Sequence, residues 1–125
     1  MTANLSILLV DDDSAVCDSM RMLLEMDGYA VETRGSAREA IEAITGEPAR
    51  RFDLVITDLA MPDGDGYRVA AAVREASPDT PVILLTGWGQ QISADPKQAA
   101  LVNEVLGKPA RLSELRKAID RCLKR

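Results

Sequence analysis

The chain alternates short apolar segments with helical stripes along most of its 125 residues. Three of five apolar segments, at 5–10, 52–57 and 81–86, are apolar almost throughout, and two weaker ones lie at 29–33 and 102–106. Continuous apolar segments of this length are typical of parallel strands that helices cover on both faces. The alternation therefore predicts an α/β fold, in which five helices flank a parallel sheet of five strands.

The segments between the strands carry the start and stop signals of helices. Gly28 ends the first apolar stripe, as glycine often ends a helix. The sequence SARE at 36–39 is a capping box that opens the second helix. Further along, Asp95 and Pro96 predict an N-cap and a first helical residue after a long loop. This fourth helix is expected to be short or irregular, from about Pro96 to Leu101.

The composition narrows the classes of function. A net charge of −5 disfavours a nucleic-acid partner, because phosphate binding needs an excess of Lys and Arg. The absence of histidine removes histidine-based catalysis and the usual zinc sites. Cys17 and Cys122 fall on apolar stripes and are interpreted as buried hydrophobes in a reducing compartment. With no membrane-length apolar run and no signal-peptide pattern, we expect a cytoplasmic protein without membrane contact.

Acidic and polar residues follow the predicted strands at their carboxyl ends. They are Asp11, Asp12 and Asp13 after the first strand, Asp58 after the third, Thr86 after the fourth and Lys108 after the fifth. Each of these residues alone has an ordinary role in a turn, a cap or a strand. In a parallel sheet these ends meet at one edge, where ligands bind. Polar residues at four strand ends together are therefore a far more specific sign of a functional site than any one of them alone.

Clustered carboxylates suit a hard cation with oxygen ligands, and Mg²⁺ accepts a few carboxylates together with water. With the metal offsetting the repulsion, one carboxylate could attack a phosphoryl group and become an aspartyl phosphate. Lys108 and the Thr86 hydroxyl are the donors that would stabilise the transferred oxygens. Asp13 differs from its neighbours, because it is expected to begin the first helix, where the helix dipole favours a negative charge.

Four segments, ILLVDDDS, LVITDLAMPDGDG, VILLTGWG and VLGKP, together resemble the receiver domain of two-component response regulators across essentially the whole chain. The resemblance implies a flavodoxin-like, doubly wound sheet in the order 2-1-3-4-5. It implies a phosphoacceptor whose donor is a histidine kinase or a histidine phosphotransfer protein, and which then docks on a downstream protein or on a second copy. Such a domain takes part in its own phosphotransfer and dephosphorylation but is not a turnover enzyme.

The metal site of the family falls on four positions of this sequence. By resemblance, Asp12 is a direct Mg²⁺ ligand, and Asp11 is its acidic companion, acting through a coordinated water. Asp58 is the phosphoacceptor and shares the metal, and the backbone carbonyl of Ala60 adds a main-chain ligand. We hypothesise that bulky Trp88 and small Ala60 together influence the access of water to the aspartyl phosphate.

The switch and charge-pairing residues of the family fall on Thr86 and Lys108. The resemblance implies that the Thr86 hydroxyl turns towards the phosphoryl group and that Lys108 pairs with its oxygens. It also implies a cis bond between Lys108 and Pro109. Val105 departs from the family, which commonly carries an aromatic residue at this position. The resemblance therefore does not extend to the coupled switching of the Thr86 hydroxyl and an aromatic ring.

Three other interpretations stay open. Because the chain ends with its last predicted helix, we expect residues 1–125 to be a single receiver domain without an output domain; a receiver excised from a hybrid sensor histidine kinase is the alternative. A haloacid-dehalogenase-like aspartyl phosphatase also places an aspartate nucleophile after an apolar strand, but Ala15 stands where its motif needs Thr or Val. The third is a docking module with an inactive pocket, although the pocket set is complete.

Overall fold

The computed structural model describes residues 5–46, 51–87 and 95–123. Within these ranges the elements are β1 (Ser6–Val10), α1 (Ser14–Met26), β2 (Ala30–Arg34), α2 (Ala37–Thr45), β3 (Leu54–Asp58), β4 (Ala60–Met61), β5 (Gly64–Asp65), α3 (Gly66–Ala76), β6 (Val82–Thr86), α4 (Pro96–Ala99), β7 (Glu104–Gly107) and α5 (Leu112–Leu123). The short β4 and β5 pair as an antiparallel hairpin. The other five strands form one parallel sheet in the order β2-β1-β3-β6-β7. Counted without the hairpin, this is the predicted order 2-1-3-4-5.

The central strands are buried on both faces, as their continuous apolar sequence predicts. Side chains of β1 point alternately to the two faces of the sheet. Ile7 and Leu9 join a cluster with α1 and α5, whereas Leu8 and Val10 join a cluster with α2 and α3. All four are fully buried, and each such side chain contributes roughly 1.5–3 kcal/mol of hydrophobic stabilisation. The helices therefore hold the sheet between two apolar layers, which leaves its edges, the carboxyl edge among them, for polar chemistry.

Side-chain caps begin the first two helices. The Asp13 carboxylate accepts hydrogen bonds from two amides in the first turn of α1, which confirms its predicted role as a cap. In α2 the Ser36 hydroxyl accepts from the Glu39 amide at 3.1 Å, as the capping box predicts. The return contact differs, because the Glu39 carboxylate accepts from the amide of Gly35 rather than from that of Ser36.

The ends of α1 and the extent of α4 also follow the sequence. Gly28 comes directly after the last turn of α1 with a φ of +94°, a conformation that strains other residues. The α4 helix is confirmed as short, with Asp95 as its N-cap and Pro96 at its first position. Among the described helices, none is long and apolar enough to cross a lipid bilayer.

Arg74 of α3 joins three segments below the sheet edge formed by β7. Its guanidinium donates hydrogen bonds of 2.6 to 3.2 Å to the carbonyls of Pro78, Thr80 and Leu101 and to the side chain of Asn103. Burial lowers the pKa of Arg74 from its ordinary value, with the charge of a nearby aspartate acting in the opposite direction. The group thus connects α3 to the segment between α4 and β7.

The two cysteines behave as small hydrophobic residues. Cys17 is buried, Cys122 is half-buried, and both are free thiols that pack in the cluster under α1 and α5. Burial raises the pKa of each thiol to about 11, with nearby carboxylates adding to the effect. The thiolate form is therefore disfavoured at neutral pH, in agreement with the structural role predicted for both residues.

Candidate active site at the carboxyl edge of the sheet

The three aspartates after β1 occupy different environments. Asp11 is 2% exposed, and its Oδ1 accepts a hydrogen bond of 2.9 Å from the amide of Asp13. Asp12 is exposed, and Asp13 caps α1 as described above. Of these three residues, only Asp11 and Asp12 have carboxylates that can bind a ligand at the sheet edge. This division matches the prediction that the third aspartate is a cap.

Asp58 is the last residue of β3 and is 4% exposed. The chain next forms the β4–β5 hairpin, whose base is held by two backbone bonds: Leu59 N donates to Leu85 O at 2.8 Å, and Gly66 N donates to Leu59 O at 2.7 Å. Gly66 has to be glycine here, because a Cβ would lie 2.6 Å from the carbonyl oxygen of Asp58. Close packing of backbone on backbone thus fixes the position of Asp58.

The carboxylates of Asp11, Asp12 and Asp58 meet at this edge. One oxygen from each lies within 4.8 Å of the others. The Oδ1 atom of Asp58 is buried and has no hydrogen-bond partner among the described residues. Buried polar atoms are normally satisfied, so an oxygen left open among other carboxylates calls for a cation. The donor set consists of hard oxygen ligands, and it fits Mg²⁺.

Among the described residues, Lys108 is the only one whose ammonium group contacts this cluster. Its Nζ lies 2.9 Å from Asp11 Oδ2 and 3.1 Å from Asp58 Oδ2. The side chain reaches the carboxylates from the end of β7, where the Lys108 amide donates to Thr86 O at 2.7 Å. The bond from Lys108 to Pro109 is cis, as the resemblance implies. The net formal charge of the site is negative, because it holds three carboxylates and one ammonium.

Burial and charge act in opposite directions on the two central groups. Burial raises the pKa of Asp58, the Lys108 ammonium lowers it, and the neighbouring Asp11 and Asp12 charges raise it, with a net increase. For Lys108, burial lowers the pKa, but hydrogen bonds to Asp11 and Asp58 outweigh that effect and raise it. The carboxylates therefore keep the ammonium charged, while Asp58 carries its own charge at a cost.

The remaining predicted residues lie on the strands β4, β6 and β7 or outside the described ranges. The Thr86 hydroxyl is at the end of β6 and makes a long hydrogen bond of 3.5 Å to Leu106 O. Ala60 is exposed and lies in β4, paired with Asp65. Val105 is 36% exposed in β7. Trp88 lies outside the described residues, so its effect on water access stays a prediction.

An apolar groove starts at Lys108 and runs along α1. It has a volume of about 410 Å³, with Val16 and Leu23 on one side and Ala110 and Leu112 on the other. Val16 is 38% and Leu23 is 40% exposed, although both belong to the apolar stripe of α1. The stripe is therefore wider than the face that the sheet covers.

Residues 7–120 match the sequence profile of the response regulator receiver domain. The chain belongs to this family. The receiver domain is a signalling domain with a phosphoacceptor role, which removes the support for a haloacid-dehalogenase-like enzyme and does not favour the hybrid-kinase alternative. The expectation that residues 1–125 lack an output domain stays a prediction.

Comparisons with known proteins agree with this assignment. The receiver domain is 37% identical over 109 residues to response regulator MprA from Mycolicibacterium vanbaalenii, covering 87% of this chain and 46% of that relative. It thus spans about half the length of this curated relative. A response regulator receiver domain protein from Clostridium thermocellum superposes with a TM-score of 0.85 at 32% identity, covering 96% of this chain and 94% of the other. TrrA from Thermotoga maritima, in complex with Mg²⁺ and BeF, superposes with a TM-score of 0.79 at 27% identity, covering 95% and 99%.

One contact near the site has no signal in the sequence. Asp63, in the turn between β4 and β5, accepts hydrogen bonds from the amides of Ala37 and Arg38 at the start of α2. An aspartate in PDGDG reads as an ordinary turn residue. Its partners lie far away in the chain, so no local pattern could have found the contact.

Proposed function

We propose that this receiver domain accepts a phosphoryl group on Asp58, with Mg²⁺ held by Asp11, Asp12, Asp58 and the Ala60 carbonyl. The observation that carries the proposal is the meeting of Asp58 with two further carboxylates and with Lys108. The unpartnered Oδ1 of Asp58 adds to it, because a buried carboxylate oxygen in this position is open both to a cation and to an electrophile. When bound, Mg²⁺ would supply charge neutralisation for the carboxylates and for the transferred oxygens.

The transfer itself needs an ionised nucleophile and donors for the phosphoryl oxygens. A carboxylate oxygen of Asp58 attacks phosphorus, an O–P bond forms, and the N–P bond of the phosphohistidine breaks. The imidazole leaves with the electron pair of that bond and takes a proton from solvent. Lys108, already 3.1 Å from Asp58, is placed to pair with the transferred oxygens, and the Thr86 hydroxyl is the second donor.

Loss of the phosphoryl group follows from the same arrangement. Water attacks phosphorus of the aspartyl phosphate, the O–P bond to Asp58 breaks, and inorganic phosphate leaves with the carboxylate regenerated. The domain would thus be restored in each cycle without acting as a turnover enzyme. Ala60 is small and exposed beside the site, which supports the hypothesis that this position influences the approach of water.

We assign the phosphodonor to a histidine kinase or a histidine phosphotransfer protein that docks along the α1 groove. The groove begins at Lys108, so a protein seated on it would bring its phosphohistidine to the edge that holds Asp58. Exposed Val16 and Leu23 offer apolar surface there. The free thiols of Cys17 and Cys122 support a reducing compartment, and we place the domain in the cytoplasm.

Phosphorylation by a small donor tests the site. The protein is incubated with Mg²⁺ and acetyl phosphate, and intact mass is measured. The wild type is expected to gain one phosphoryl group, whereas Asp58→Asn gains none. Asp53→Asn is the matched control, because Asp53 is an exposed aspartate that bonds the amide of Ser6 away from the site. A phosphoryl gain that persists in Asp58→Asn would overturn the proposal.

Transfer from a protein donor tests the groove. Leu23→Asp places a charge in the groove without touching the carboxylates, so it is expected to slow phosphotransfer from an autophosphorylated histidine kinase by at least about ten-fold. Phosphorylation by acetyl phosphate should stay unchanged in the same variant. Met26→Asp is the control, because Met26 is 82% exposed on α1 but does not line the groove. Equal rates for Leu23→Asp and wild type with the kinase would contradict the docking surface.

A further inference from the structure

The β4–β5 hairpin is fixed to the rest of the domain at both of its ends. At its base, the backbone of Leu59 bonds to Leu85 and to Gly66 at 2.8 and 2.7 Å. At its tip, the carboxylate of Asp63 reaches across to a different element, the start of α2. Ala60, whose carbonyl is the proposed main-chain metal ligand, lies between these two attachments.

The tip is attached through both oxygens of the Asp63 carboxylate. Asp63 Oδ1 accepts from the amide of Ala37 at 3.1 Å, and Oδ2 accepts from the amide of Arg38 at 2.9 Å. These are the first two amides of α2, which have no acceptor within the helix. The third amide, that of Glu39, is already bonded to the Ser36 hydroxyl. The first turn of α2 is therefore completed by a carboxylate from the hairpin.

The charge of Asp63 strengthens this attachment. Hydrogen bonds from the backbone of α2, led by that of Arg38, lower the pKa of the carboxyl, and the nearby Arg68 charge acts in the same direction. A carboxylate at a helix N-terminus is also favoured by the helix dipole. An uncharged side chain at position 63 would lose the bidentate geometry together with this attraction.

We propose that Asp63 is a positioning residue for the metal site, which holds the Ala60 carbonyl in place by fixing the hairpin tip to α2. Released from α2, the hairpin would keep its base and the buried packing of Met61, but it would lose the polar attachment of its tip. Ala60 would then be held less firmly relative to Asp58. Asp63 does not touch the metal, and its effect on affinity passes through Ala60. This inference rests on the proposed function, since it assumes that Mg²⁺ binds at Asp11, Asp12 and Asp58.

The test compares two variants that weaken the same helix end. Asp63→Ala removes the attachment of the hairpin, whereas Ser36→Ala removes a cap of α2 and leaves the hairpin attached. Mg²⁺ affinity is measured by calorimetry, and the amide signals of Ala60 and Met61 are followed by NMR. We expect about a ten-fold weaker affinity in Asp63→Ala, as for other residues that orient metal ligands, and little change in Ser36→Ala. Asp63→Asn, which keeps one acceptor oxygen, is expected to lie between.

The NMR signals separate positioning from simple destabilisation. In Asp63→Ala the amides of Ala60 and Met61 should shift even without Mg²⁺, while in Ser36→Ala they should stay in place. Wild-type affinity in Asp63→Ala, or an equal loss in Ser36→Ala, would overturn the inference and leave the proposed function standing. A wild type that binds no Mg²⁺ would instead overturn the proposed function itself.

Discussion

Nζ of Lys108 lies 3.1 Å from Oδ2 of Asp58, so the proposed phosphoacceptor has a cation beside it before any donor arrives. The same ammonium contacts Asp11 at 2.9 Å. It offsets part of the repulsion between the two buried carboxylates, and it occupies the side of Asp58 that faces β7. The other oxygen of Asp58 is left for a ligand.

Removal of Lys108 is expected to separate metal binding from phosphorylation. In Lys108→Ala the carboxylates lose their ammonium, so Mg²⁺ should bind more tightly. Phosphorylation by acetyl phosphate should fall by about 10²-fold, because a donor to the transferred oxygens is gone. Calorimetry and intact mass measure the two effects, with Lys97→Ala, on exposed α4, as the control. Weaker Mg²⁺ binding in Lys108→Ala would contradict the charge argument.

Asp58→Asn is expected to stabilise the metal-free protein at neutral pH. Burial raises the pKa of Asp58 above its ordinary 3.8, so the ionised carboxylate lowers the stability of the native state. This cost is absent below pH 3.8, where the carboxyl is protonated in both states, and it is complete above the raised native pKa. Urea midpoints in EDTA should therefore favour Asp58→Asn at neutral pH and converge in acid. Asp53→Asn should show no such gain.

Arg74→Lys should destabilise the fold without affecting the site. A lysine has no planar fork of donors, so it cannot satisfy the four acceptors that the guanidinium reaches. We expect a loss of about 1–3 kcal/mol in the free energy of unfolding, measured in urea. Arg38→Lys is the matched control, because the Arg38 side chain is 82% exposed and should cost almost nothing. A loss equal to that of the control would show that the four contacts are dispensable.

The contact between α1 and α5 should add to stability at neutral pH and disappear in acid. Arg116 donates two hydrogen bonds of 2.7 and 2.8 Å to Asp27, which lowers the pKa of Asp27 below its ordinary 3.8. A lowered native pKa gives stability that is present above pH 3.8 and is lost as the pH falls through the native pKa. Asp27→Asn should have the lower urea midpoint at neutral pH, and the difference should vanish once the pH has fallen below the lowered native pKa of Asp27. Asp18→Asn, whose ion pair is exposed, should change less.

The fold was predictable because strand and helix signals are local. The continuous apolar segments at 5–10, 52–57 and 81–86 are typical of strands covered on both faces, and β1, β3 and β6 are buried in this way. The cap at Asp13 and the short α4 likewise depend on neighbours in the chain. The meeting of the strand ends then follows from the parallel arrangement.

What the sequence left open depends on contacts between distant segments. The Glu39 carboxylate accepts from the amide of Gly35 rather than from that of Ser36, and the local loop geometry decides which of these neighbouring amides it reaches. The hydrogen bonds of Arg74, and those from the α2 amides to Asp63, join segments that share no sequence pattern. The exposure of Val16 and Leu23 depends on how α1 rotates against the sheet, which periodicity alone does not determine.

The two outer strands of the sheet bear on how copies of this domain could associate. The β2 edge carries Glu32 and Arg34, which pair with each other at 3.4 Å, and the β7 edge carries Glu104, held by Arg121 of α5 at 2.8 Å. Charged side chains on edge strands discourage the pairing of one sheet with another. Continuation of the sheet from one molecule to the next is thus disfavoured, and self-association of this domain is expected to use surfaces other than its outer strands.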